Sequence, residues 1–116
     1  MNIEDLTLKQ IRELQALFQT PAARCVDEFL QELVGKNVAI RTVTMIYTGK
    51  MIALDVNSIV LLEAAWIPDT SRWMSFVANG TVGECEPYPD DLKVGINRGS
   101  LLDYFELKSQ LPRSQK

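Results

Sequence analysis

The sequence predicts an α+β chain in which β predominates: N-terminal helices followed by a five-stranded, strongly bent antiparallel sheet or barrel. Three observations predict it. Apolar residues recur at helical intervals as far as Gly35, the interval drops to two from Val38 onward, and short turn signals then break the chain into strands. The 116 residues suffice for one sizeable core and not for two.

The helical part opens at Thr7 and Gln10, which have capping-box spacing, with Leu6 and Ile11 flanking them as a staple. Leu8, Ile11, Leu14, Leu17 and Phe18 then mark one face of a helix over about 7–19. Thr20 and Pro21 start a second helix, whose face carries Val26, Phe29, Leu30, Leu33 and Val34 and which stops at Gly35. Residues 1–34 are therefore read as a helical region. Both apolar stripes suit packing in a core, and a partner-binding role is the alternative.

After Gly35, Val38, Ile40 and Thr42 alternate with Ala39 and Arg41, and Gly49 marks a sharp bend. "GKMIALD" and "SIVLLEAAW" follow as strands, joined by "DVNS", which has tight-turn chemistry. Between Pro68 and Leu92 the pattern loosens. Asp69 or Thr70 caps a short helix over 70–78, with Trp73, Phe76 and Val77 on one face and Asn79-Gly80 at its end. "TVGECEPYPDD" begins like a strand and turns into a loop or sheet edge at its prolines. "KVGIN" and "SLLDYFEL" are the last two strands. Residues 108–116 show no core-forming pattern and are expected to fray.

Composition narrows the function. The net charge is −3 with no basic run, which disfavours generic binding to a nucleic-acid backbone. No apolar run is long enough to span a bilayer, and the acidic start Met1-Asn2-Ile3-Glu4-Asp5 does not read as a secretory signal, so the expected location is a cytoplasm. There, Cys25 and Cys85 are expected to be free, buried thiols. Without histidine, hydrolysis would fall to carboxylates and a metal, and the one acidic cluster, Glu84, Glu86, Asp90 and Asp91, reads better as solvated loop. No catalytic residue, metal or cofactor is expected.

The stretch "GKNVAIRT…YTGKMIALDVNSIVLLEAA", followed by "INRGSLLDYFEL", resembles the two-part signature of Sm-like proteins. Gly49 stands in the bent second strand, Asp55 six residues later, Ile59 to Leu62 in an apolar third strand, and Arg98-Gly99 before the last strand. The resemblance covers residues 35–107, with an insertion at 66–92 between the third and fourth strands. It implies a homo-oligomeric ring whose opening is lined by Asp55, Asn57, Arg98 and Gly99 and takes single-stranded RNA. Where the family carries its base-contacting Asn this chain has Ile59, and Asn57 stands two residues before it. The whole sequence, and especially "MNIEDLTLKQIRELQAL", "IRTVTMIYTG", "AAWIPDTSRW", "EPYPD" and "NRGSLLD", also resembles small proteins encoded by tailed phages and prophages.

On that fold the insertion would bring polar residues together: Arg41, Thr42, Thr44 and Tyr47 from the first hairpin, Trp66, Asp69, Thr70, Arg72 and Trp73 from the insertion, and Arg98 from the last turn. Arginines clamp phosphate, hydroxyls hold a ribose or a base edge, and an indole stacks on a base. The set points to a small nucleotide-type ligand, bound and sequestered without chemistry. The alternatives are RNA in the ring opening and a structural or protein-interaction role. Trp73, at helical spacing with Phe76, reads first as a core anchor that holds the loop down, and Arg98 alternatively as a turn residue paired with Asp103 or Asp55.

Overall fold

A computed structural model describes residues 28–116. The chain divides into two units, residues 1–32 and 33–116. The expected helix over 7–19, the start of the second helix and Cys25 lie outside the described residues. Residues 28–33 are helical, and Gly35, at φ 88°, turns the chain out of that helix, a conformation glycine adopts without strain.

The second unit is one antiparallel sheet of six strands: β1 (Asn37–Thr42), β2 (Ile46–Leu54), β3 (Ser58–Asp69), β4 (Glu84–Pro87), β5 (Val94–Asn97) and β6 (Leu101–Glu106). Its order is β4-β3-β2-β1-β6, and β5 also pairs with β3, so β3 carries β5 along its first half and β4 along its second. The sheet is open. Among the described residues, no strand pairs with the outer edge of β5 or of β6.

Two irregularities bend the β2–β3 pair. Thr48 lies opposite Ala65 and Lys50 opposite Leu62, so β3 holds one residue more than β2 there, and Glu63 adopts φ 51°. Farther along, Met51 faces Leu61 while Ala53 faces Val60, which places the extra residue on β2. Gly49 sits inside the first bulge. A Cβ at that position would come within 3.0 Å of the Leu61 Cβ and 3.2 Å of the Leu62 carbonyl oxygen. Gly49→Ala is therefore expected to cost about 1–3 kcal/mol by overpacking, read as a lower urea midpoint at unchanged slope.

Helix α1 (Trp73–Asn79) lies in the insertion and ends as the sequence indicates, with Gly80 at φ 72° donating its N–H to the Phe76 carbonyl at 2.8 Å. Its start differs from expectation. Asp69 closes β3, its Oδ1 accepts the Ser71 N–H at 2.8 Å, and the cap position falls on Arg72, whose side chain makes no capping bond. Phe76 is fully buried against Ala39 and Leu107, with Ile46, Trp73, Phe105 and Leu111 packed around them. A second cluster joins Ala65, Ile67 and Cys85. Cys85 is a free thiol whose pKa is pushed up, first by burial.

Two further differences concern strands and tail. The segment after Gly83 forms a true sixth strand, β4, and β3 extends through Pro68 to Asp69. Proline is accommodated because the β3–β4 register slips between Trp66 and Asp69, where no ladder N–H is required. Residues 107–116 form a strap in place of a frayed end. Leu107 is buried, Ser109 lies against Gly80, and the Lys116 N–H and C=O exchange 2.9 Å hydrogen bonds with the backbone of Cys85, covering the outer edge of β4. The Arg113 guanidinium donates to the carbonyls of Ala64 (2.7 Å) and Tyr88 (2.6 Å) and pairs with Asp90.

Candidate functional site

Three local irregularities meet at one end of the sheet. The β1–β2 turn has no Gly or Asn, and Thr42 replaces them: its hydroxyl donates to the Met45 carbonyl at 2.9 Å and accepts the Met45 N–H at 3.0 Å. Beside it, β6 carries a bulge, since Arg41 faces Asp103 and Thr42 faces Leu101; the extra residue, Leu102, is 59% exposed. The third is the slip in β3 around Ile67 and Pro68. Together these enclose an open cleft of about 410 Å³ lined by Arg41, Thr42, Val43, Thr44, Met45, Ile46, Trp66, Ile67, Pro68 and Leu102. That volume lies within the usual range of small-molecule sites.

Of the residues selected from sequence, Arg41, Thr42, Thr44 and Trp66 line this cleft. Trp66 is fixed by pairing between Tyr47 and Glu86 on its two neighbouring strands and keeps 37% of its surface exposed. Arg41 is held on two sides. Its Nε and Nη2 donate to Asp103 Oδ1 and Oδ2 at 2.9 and 2.7 Å, and its guanidinium carbon lies 5.3 Å from the centre of the Trp73 ring.

The other selected residues do not line it. Tyr47 points its hydroxyl at the Met45 sulfur, 2.9 Å away, and its pKa is raised, first by burial and then by Tyr88. Trp73 is a core anchor, with ring centres 5.6 Å from Phe76 and 6.0 Å from Phe105. Asp69 and Thr70 spend side-chain bonds on Ser71, and Arg72 sits exposed before α1. The acids Glu84 and Glu86 lie on β4, and among the described residues no three acids or cysteines converge as a metal site.

Arg98 belongs to a different group. Its backbone N–H donates to the Asn57 carbonyl at 2.9 Å, its Nη1 to the Asp55 carbonyl at 2.7 Å, and Asn57 and Gly99 stand beside it on the two turns so joined. The carbonyl of Ser100 accepts the Val43 N–H at 3.0 Å, which ties this 3-10 turn (Arg98–Ser100) to the β1–β2 turn as well. Ile59 is fully buried.

No protein-family model and no curated protein matches this chain. The site therefore rests on its own geometry. Sequence reasoning missed Val43, Met45, Ile46, Ile67, Pro68 and Leu102 as lining residues because it selects for polar and stacking chemistry and all six are apolar or aliphatic. The signal that could have marked Val43 and Met45 is the absence of turn residues in "TVTMIY", which leaves hydrophobic side chains on an exposed loop.

Asp55 organises the β2–β3 turn. Its Oδ1 accepts the N–H groups of Asn57 and Ser58, both at 2.8 Å, and these bonds, followed by the Ser58 hydroxyl, hold its pKa below the ordinary 3.8. A carboxylate with a depressed pKa contributes stability above its unfolded value and loses it as the pH falls through the folded one. Urea midpoints of the wild type and Asp55→Asn should therefore differ at neutral pH and converge as the pH drops below 3.8.

Proposed function

We propose that the chain is a subunit of a homo-oligomeric, Sm-like ring that holds a small nucleotide-type ligand in the hairpin cleft and sequesters it without chemistry. The observation that carries this reading is the cleft itself, where an exposed indole, a guanidinium fixed on two sides and a threonine hydroxyl sit around a concave surface built by three irregularities. Bulges of this kind recur where a strand re-aims a side chain at a site. The edges of β5 and β6, unpaired among the described residues, support the assembly, because a second copy could continue the antiparallel sheet from either. The sequence resemblance to phage proteins supplies a setting. In a bacterial cytoplasm, a ring that lowers the free concentration of a nucleotide signal would act against host immunity by mass action alone.

Native mass spectrometry of the protein from bacterial cytoplasm, followed by denaturation and identification of released molecules, tests this. A ring mass carrying stoichiometric nucleotide is the expected result. A monomer overturns the assembly, and a ring without small molecules overturns sequestration. One arrangement favours a second reading, single-stranded RNA bound at the joined turns, where Asn57 and Arg98 stand side by side. It predicts affinity that falls steeply with salt, since each phosphate contact releases counterions.

A further inference from the structure

Within the nucleotide-type reading, on which this step rests, we infer that the cleft selects the uncharged planar part of its ligand, a nucleobase or nucleoside, and takes no phosphate. The argument is a charge and hydrogen-bond inventory of its walls. Arg41 is the one charged side chain lining the cleft among the described residues. The fork with which an arginine grips phosphate is already closed on both oxygens of Asp103, and the guanidinium face is stacked against Trp73. A phosphate approaching that fork would meet a carboxylate of its own sign.

Thr42 has no proton to give a ligand, because its hydroxyl donates to the Met45 carbonyl, and the residue is buried. Thr44 is different. Its hydroxyl has no partner among the described residues, so the lining offers one open hydroxyl able to donate and accept at a base edge. The remaining exposed walls are apolar: Val43, Met45, Trp66, Pro68 and Leu102. An indole flanked by aliphatic side chains is complementary to the face of a neutral aromatic ring, and base–indole stacking is worth about 1–3 kcal/mol. Phosphates of a bound nucleotide would lie outside the cleft, in solvent.

Calorimetric titration of the full-length oligomer with the four common ribonucleosides, their 5′-monophosphates and inorganic phosphate tests the inference. At least one nucleoside should bind, with its monophosphate within about threefold in Kd, and millimolar inorganic phosphate should not compete. Trp66→Leu should weaken both by about tenfold. Asp103→Asn should release the Arg41 charge and tip the preference toward the monophosphate by about tenfold, a change that loss of packing alone would not produce. A monophosphate binding more than about tenfold tighter than its nucleoside in the unmodified protein, or competition by inorganic phosphate, overturns base selection while leaving nucleotide binding intact. Absence of binding by every nucleoside and nucleotide overturns the nucleotide reading and this inference with it.

Discussion

Phe76→Ala is expected to lower the free energy of unfolding by about 3–5 kcal/mol, the usual cost of emptying a buried aromatic site. Phe76 has no exposed surface and sits edge-on to Phe105, with ring centres 6.3 Å apart, and against Trp73. It is also the buried residue of α1, so its removal takes away the side chain that anchors this helix to the core. Single domains are stable by only about 5–15 kcal/mol, and this change removes much of that margin. Urea unfolding followed by tryptophan fluorescence checks it. A loss below about 1 kcal/mol would show that α1 contributes little to the core.

Arg113→Ala is expected to cost about 2–3 kcal/mol, a magnitude typical of losing hydrogen bonds from a charged group to buried carbonyls. Its guanidinium spans the carbonyls of Ala64 on β3 and Tyr88 after β4, which no smaller side chain can reach together. Lysine is a poor substitute, because an ammonium lacks the planar fork. Hydrogen exchange at the Cys85 amide provides a local readout. That N–H donates to the Lys116 carbonyl, so its protection should fall in Arg113→Ala even where global stability is preserved by ligand or temperature.

The parts of the fold legible in the sequence are those governed by period and by glycine. Alternation around Val38 and Ile40, the turn "DVNS" and the stops at Gly35 and Gly80 each mark a boundary that the structure contains. The misreadings have two causes: a side-chain bond that makes a turn without turn residues, and a partner far along the chain that replaces a local signal. Thr42 makes a turn through its side chain, Pro68 stays in a strand because the partner strand slips, and the polar tail becomes ordered because Arg113 finds carbonyls some 49 and 25 residues away in sequence. The cleft was half legible for the same reason. Arg41, Thr42, Thr44 and Trp66 were chosen for their chemistry, whereas Leu102 reaches the cleft only through a one-residue bulge that no periodicity reveals.

In the assembly proposed above, the strap over β4 would limit how many copies one copy joins through its strands. With Lys116 seated on Cys85, that border of the sheet is spent, and among the described residues the outer borders of β5 and β6 remain. A unit with two unlike connectors has a valence of two. Joined through these two borders alone, copies would run head to tail into a closed circle or an unending thread, according to the angle at each joint. In the proposed assembly, removing residues 108–116 would uncover a third border, and joining through all three would allow branching.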